Sequence, residues 1–280
     1  MLFEIPHLDY ALFAVTSIAA LAAISIWQRL DRKLVVVWPL LIAVLVGGWF
    51  LVNDAGARER IRLRKQIQGF APTFANELSA MGHAKIGLDT PADDPLYLEM
   101  INKQIRWLEL NPAVADIYTF RKHPKGNQLI VDSETDYNGN GVYDGDREAR
   151  TEIGEVWPED NPNLVRAYDG QAQFDDTIYS DRWGTWVSAY VPMRDQNGRV
   201  EAVLGVDYPA REWVESIARA RLRIIGFLSV LVTIGLASTM IISMLQANLM
   251  EREQTELRLR EAKEAAEVAT KFKSEFLANM

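Results

Sequence analysis

The chain has 280 residues, of which 49% are hydrophobic, a formal net charge of −8 and a pI near 5.1. That acidity, without a concentrated basic face, argues against a nucleic-acid binder, which would cluster lysine and arginine. The absence of cysteine excludes disulfides, thiolate metal sites and cysteine nucleophiles.

The mean composition conceals three long apolar runs. Residues 10–28 and 34–52 are almost continuously apolar, each with the ~20 residues needed to cross a bilayer core as a helix. Only Arg29-Leu-Asp-Arg-Lys33 separates them, so residues 1–53 are expected to form an antiparallel transmembrane hairpin. A third run, 222–246, is long enough to span with some tilt. Trp27 and Trp49 sit near run ends, where indole rings favour the membrane interface. A secretory signal peptide is the rival reading of the first run. Its start, Met1-Leu-Phe-Glu-Ile-Pro-His, lacks a basic n-region, and the run exceeds a usual apolar core. By the positive-inside rule the Arg29, Arg32 and Lys33 linker stays cytoplasmic, placing 54–220 outside the cytoplasm and 247–280 within it. The clusters Arg58-Glu-Arg-Ile-Arg-Leu-Arg-Lys65 and Arg219-Ala-Arg-Leu-Arg223 fall on or near the outer side and run against that assignment.

Residues 54–220 are enough for one domain with its own core. Leu63, Ile67, Phe70, Phe74, Leu78 and Met81 recur at three- and four-residue steps, predicting an amphipathic helix continuing from the second span. Gly82 ends it. Asp94 then reads as the N-cap and Pro95 as the first position of a second helix. Leu98, Ile101, Ile105 and Leu108 form its apolar stripe, and Asn111-Pro112 stops it. From Ala113 the period changes to two: strands are expected over 114–120 and 127–132. A short helix near 161–168 and strands over 173–178, 184–192 and 199–208 follow, the last two joined by an Asn197-Gly198 turn. This order predicts an α+β domain, an antiparallel sheet with helices on one side.

Alternation along 184–192 places Trp186, Ser188 and Tyr190 on one face and Val187, Ala189 and Val191 on the other. The polar-aromatic face is either a pocket lining or a set of ordinary packed aromatics. In Asp136-Tyr-Asn-Gly-Asn-Gly-Val-Tyr-Asp-Gly-Asp146, residues Asp136, Asn138, Asn140, Gly141 and Asp144 match loop positions of the EF-hand calcium pattern. The final bidentate glutamate is replaced by Arg147, with Glu148 one residue late. A calcium site drawing oxygens from Asp136, Asn138, Asn140, Asp144 and Asp146, and a plain turn of residues tolerant of left-handed backbone, both fit. His7, His83 and His123 lack metal-ligand spacing and default to solvated loops or helix ends. No phosphate-binding glycine loop or catalytic constellation is present, so apart from calcium no cofactor is expected in this chain.

The chain closes on a charged helix. Ala262, Ala265, Ala269, Phe272 and Phe276 alternate at three- and four-residue steps, which fits either a coiled-coil seam or a solvated helix. The identities say more than the period. Lys273-Ser-Glu-Phe-Leu-Ala-Asn-Met280, preceded by Glu261-Ala-Lys-Glu-Ala-Ala-Glu, resembles the segment leading into the dimerisation and phosphoacceptor domain of sensor histidine kinases of two-component systems. In that family a Ser-His-Glu-Ile-Arg-Thr-Pro box follows, so the phosphoacceptor histidine and the ATP/Mg2+-binding domain would lie past Met280. The resemblance implies autophosphorylation in the longer architecture, a parallel homodimer, a response regulator as partner, and a bacterial inner (plasma) membrane location.

Trp183-Gly-Thr-Trp-Val-Ser-Ala-Tyr-Val-Pro-Met-Arg-Asp195 with Gly198-Arg-Val-Glu-Ala-Val-Leu-Gly-Val-Asp-Tyr208 resembles the final hairpin of Cache domains, PAS-like extracytoplasmic sensors. The length implies a single Cache unit with a long N-terminal helix. The resemblance implies a small-molecule ligand over the sheet, contacted by Asp207 and Tyr190, with Trp186 beside them. Tyr118 and Arg121 are further candidates on the first strand, and Asp176 and Trp183 in a covering loop. A stand-alone membrane receptor or dimerising partner is the alternative; a chemoreceptor would need a long methylation-type helical hairpin.

Overall fold

The computed structural model describes residues 7–27, 36–124, 126–157 and 161–278. The basic linker Arg29, Arg32 and Lys33 lies outside the described residues, as do the side chains of Asp146, Phe272 and Phe276. The chain forms two compact units, one of Met1–Asn53 with Leu222–Met280, the other of Asp54–Arg221.

In the first unit, helix α1 spans Leu8–Trp27, helix α2 begins at Val37, and the long helix α6, Ala210–Ala278, contributes from Leu222 onward. α1 buries Tyr10, Phe13, Ser17, Leu21 and Ser25 at three- and four-residue steps, against a cluster holding Leu41, Leu45, Val52, Ile225 and Leu228. The Ser17 and Ser25 hydroxyls donate to the carbonyls of Phe13 and Leu21, so the stripe carries no unpaired hydroxyl. Gly48 permits the closest approach: a Cβ there would stand 2.7 Å from Leu228 and from the Tyr10 hydroxyl. Among the described residues three helices are long and apolar enough to cross a membrane: α1, α2 and α6.

The second unit is α+β. α2, Val37–Met81, ends at Gly82, whose φ of +100° suits a residue without Cβ, and a single 3-10 turn over His83–Lys85 follows. α3, Pro95–Leu110, starts where Asp94 accepts hydrogen bonds from the backbone of Leu96 (2.9 Å) and Tyr97 (3.0 Å). Strands β1 (Asp116–His123) and β2 (Gly126–Asp132) form a hairpin. Next come a four-residue helix α4 (Gly145–Glu148), strand β3 (Val156–Trp157), helix α5 (Pro162–Tyr168) and strands β4 (Gln173–Ser180), β5 (Thr185–Arg194) and β6 (Val200–Pro209). The sheet order is β3-β2-β1-β6-β5-β4, with every neighbouring pair antiparallel. The two-residue β3 is an edge strand that periodicity did not anticipate.

Two layers cover the sheet. On one face α2, α3 and the start of α6 pack Leu78, Met100, Trp107 and Trp213 against Ile117, Val187 and Leu204. Phe74 and Trp107 stack at 4.2 Å between α2 and α3. Each aliphatic side chain fully buried here contributes about 1.5–3 kcal/mol. The opposite face carries a smaller apolar cluster, Phe120, Leu129 and Val203 beneath Leu164 and Ala167 of α5. The helices therefore lie on both faces, where one side was expected. α5 and the chain between β2 and β4 roof the second face.

Candidate ligand cleft

The roofed face is set by strand alternation and register. β1 turns Asp116, Tyr118 and Phe120 toward it, while Ile117 enters the helix-side core. Asp116 stands opposite Asp207 on β6, and Tyr118 opposite Gly205 on β6 and Asp132 on β2. Ser188 and Tyr190 of β5 face Asp207 and Gly205 from the other side. Gly205 is required by this arrangement, since a Cβ there would lie 2.2 Å from the Tyr118 ring.

Above this floor, Trp157 of β3, Leu164 of α5 and Trp183 of the β4–β5 hairpin complete the walls. Trp157 and Trp183 stack at 5.8 Å. Asp181 fixes the hairpin, accepting from the backbone of Trp183 and Gly184 at 2.8 Å each and from Trp186 Nε1 at 3.0 Å. Arg182 lies 4.1 Å from the Trp183 ring, and Arg147 Nε donates to the Trp183 carbonyl at 2.6 Å. The cleft is partly open to solvent, and its interior holds about 30 Å³, room for about two water molecules.

The electrostatics are unusual for a sheet face, because three buried carboxylates share it. Asp207 accepts from Ser188 Oγ at 2.5 Å and from the hydroxyls of Tyr118 and Tyr179 at 3.1 Å each, and burial pushes it up to about 8. Asp116 accepts from its neighbour's N–H, Ile117, at 2.9 Å, from the Ser133 hydroxyl and from Tyr137 at 3.4 Å; burial raises it to about 6. Asp132 takes one hydrogen bond, Thr151 Oγ1 to Oδ2 at 2.7 Å, while its buried Oδ1 has no partner. Burial, then the charge of Asp116, pushes Asp132 well above the usual carboxylate range. Burial likewise raises the hydroxyls of Tyr118, Tyr179 and Tyr190, which stay neutral donors. Among the described residues lining the cleft there is no lysine, arginine or histidine.

Of the residues singled out in the sequence, Tyr118, Trp183, Trp186, Tyr190 and Asp207 meet in this cleft. Arg121 and Asp176 do not. Arg121 points from the other face of β1, bonding Glu201 at 3.0 Å and the His83 carbonyl at 2.9 Å. Asp176 is exposed and pairs with Arg60 at 3.4 Å. His83, expected in solvent, is fully buried, its Nδ1 2.6 Å from Glu201 and its Nε2 2.8 Å from Thr119 Oγ1. Burial holds its imidazole below the ordinary value despite that carboxylate.

In the Asp/Asn/Gly loop, Asp136 accepts from the backbone of Gly139, Asn140 and Gly141 at 2.6, 3.1 and 2.7 Å, and these N–H groups, Gly141 first, lower its pKa. Asn138 donates to Glu148 through its backbone and its amide. Asn140 Oδ1 accepts from Val142 at 2.7 Å, and Asp144 stands at the N-cap of α4. Among the described residues no group of three or more His, Asp or Glu side chains has a metal-holding arrangement.

Sequence reasoning missed Asp116, Asp132, Tyr179, Asp181 and Trp157. Asp116 was within reach of the same alternation that orients Tyr118, two residues on.

No protein-family model and no curated protein matches this chain. Among solved structures, the sensory domain of the Campylobacter jejuni chemoreceptor Tlp3 with isoleucine bound aligns at 12% identity and a TM-score of 0.42, covering 64% of this chain and 65% of its own. The same domain in complex with 4-methylisoleucine aligns at 12% identity and TM-score 0.43, over 61% of this chain and 60% of its own. The E. coli DcuS sensor domain aligns at 12% identity and TM-score 0.39, over 57% of this chain and 98% of its own. The chain thus spans less than two thirds of the Tlp3 domains, and likeness this loose transfers no binding residue.

Proposed function

We propose that the chain is the ligand-sensing and transmembrane signalling portion of a sensor histidine kinase, with one Cache-like sensor over residues 54–220 outside the cytoplasm of a bacterium. The observation that carries the sensing half is the cleft itself, where buried acids and hydroxyls converge beneath an aromatic cover. Burying such groups costs stability unless something offsets it, and strongly perturbed acids gathered in a cleft mark a candidate functional site. The signalling half is supported by the kinase-like residues 261–280 and by α6, a single helix of 69 residues that begins directly after β6, the strand bearing Asp207. In this reading ligand binding favours one of two sensor arrangements, and α6 carries the difference inward to a parallel homodimer. Autophosphorylation with ATP and transfer to a response regulator belong to the longer family architecture.

The test uses the full chain in detergent, with amino acids, amines and dicarboxylates added at millimolar concentration. At least one class raises the melting temperature, and Asp207→Ala abolishes the rise. An unchanged rise in the variant removes Asp207 from the site, and no rise with any class overturns the small-molecule reading. Calcium at the loop of Asp136, Asn138, Asn140, Asp144 and Asp146 is a separate proposal resting on sequence spacing, with calorimetric titration as its test.

A further inference from the structure

Three features of the cleft constrain the charge of what it takes. The first is an acceptor without a donor: Asp132 is 8% exposed, it lines the cleft, and its Oδ1 has no hydrogen-bond partner. A buried polar atom without a partner is costly, and the partner that would hold the ionised form of Asp132 brings an N–H or O–H. The second is a one-sided set of ionisable groups. Asp116, Asp132, Asp181 and Asp207 line the cavity, and no cationic side chain does so among the described residues. Burial favours the neutral forms of Asp116, Asp132 and Asp207 in the empty cleft, and an entering cation is the partner that would offset the cost of ionising them. The guanidinium groups closest to the roof are engaged: Arg182 with Glu155 and the Trp183 ring, Arg147 with the Trp183 carbonyl and the Tyr137 ring. The third is aromatic. Trp157, Trp183, Trp186 and Tyr190 surround the acids, and their ring faces attract a cation.

These features favour a cation and oppose an anion. A carboxylate on the ligand would lose its hydration beside several acids, while the nearby guanidinium groups of Arg147, Arg150 and Arg182 are already engaged with other partners. A metal ion is disfavoured, because no set of three acidic or histidine groups among the described residues converges for one. A quaternary ammonium would satisfy the rings but has no N–H for Asp132 Oδ1. Phe120, Leu129 and Leu164 supply an apolar end to the same cavity.

We propose that the cleft recognises a small protonated amine lacking a carboxylate, its ammonium donating to Asp132 Oδ1 and its hydrocarbon body lying against Phe120, Leu129 and Leu164. The proposal rests on the ligand-cleft reading above and narrows it to one chemical class. With only about 30 Å³ inside the cleft, a body beyond a few atoms extends toward its open side or displaces residues that line it.

Four probes with one hydrocarbon chain separate the alternatives on the unaltered full chain in detergent. They are n-butylamine, L-norvaline (the same amine with a carboxylate), pentanoate, and butyltrimethylammonium. The expected result is a dose-dependent rise in melting temperature of several degrees with n-butylamine, at most a third of it with the others. In Asp132→Asn the concentration of n-butylamine giving half the rise should increase at least tenfold. An equal or larger effect from L-norvaline or pentanoate overturns the amine class but leaves the ligand cleft standing. An equal effect from butyltrimethylammonium overturns the N–H contact to Asp132, as does an Asp132→Asn chain that responds like the original. No response to these four, together with none to the broader classes above, overturns both readings. The four-probe ranking needs no variant, so it decides even if Asp132→Asn does not fold.

Discussion

Asp207 is 3% exposed and lies among hydroxyl donors. Its folded pKa of about 8 and that of Asp116, about 6, stand above the unfolded value for aspartate, about 3.9. Because the neutral form is favoured in the fold, the folded state holds more protons than the unfolded chain between those values. Stability conferred this way is complete below about pH 4 and is lost as pH rises toward about 8. Ligand-free protein should therefore melt at lower temperature at pH 8 than at pH 5, by up to a few kcal/mol of unfolding free energy. Asp207→Asn, which keeps the size and cannot ionise, should make the fall between pH 6 and 8 shallower by the share of Asp207, the raised Asp132 supplying the remainder. Melting curves across pH 5 to 8.5 measure it, and a variant falling in parallel with the original would refute the assignment. At this scale legibility depended on how local the cause was. Trp186, Tyr190 and Asp207 lie on one hairpin whose alternation is visible in the residues. Asp116 and Asp132 are buried by Ser133, Tyr137 and Thr151, which fold back from the chain after β2. His83 was misjudged similarly: its partners Glu201 and Thr119 are distant in sequence.

Among elements, the β1–β6 pairing positions the site through one missing side chain. Tyr118 crosses above Gly205, and the hydroxyl of that tyrosine reaches Asp207 two residues along β6. In Gly205→Ala the new methyl would begin 2.2 Å from the ring, so the tyrosine must rotate off its rotamer or the strands must separate. Such overpacking costs about 1–3 kcal/mol, and the hydrogen bond to Asp207 is lost with it. A fall in melting temperature should accompany a weakened ligand response. Pairing the change with Tyr118→Ala should recover most of the stability and none of the response; if it recovers neither, the clash is not the cause. The helices of this unit were legible because their signals are local, as at Asp94-Pro95 and Asn161-Pro162, where each cap bonds the first turn. β3 was not, because two residues cannot display a period, and its place depends on pairing with β2.

For the whole molecule, the open matter is what the exposed end of α6 meets. Described residues from Ala247 onward are exposed, including Leu257 and Val268, yet the helix is continuous from Ala210 to Ala278. Most helical stability in proteins comes from packing of a face, and the seam of Ala262, Ala265 and Ala269 in this exposed end suits a second copy packed in parallel. These 280 residues hold no cysteine, so single cysteines introduced into them report cleanly. Placed at Ala262, Ala265 and Ala269 in full chains held in membranes, they should form disulfide-linked dimers under mild oxidation. Cysteines at Lys263 and Glu267, on the outer side of the same turns, should link several-fold less. A parallel pair brings identical positions together, whereas an antiparallel pair would link Ala262 only to a residue far along its partner. Uniform linking across all five positions, or linking that vanishes on dilution into excess lipid, would indicate collision and overturn the dimer. If the sensor acts through α6, n-butylamine should change the relative yields at Ala262, Ala265 and Ala269, because a small rotation or shift of a helix in a coiled coil moves successive seam positions toward and away from the axis.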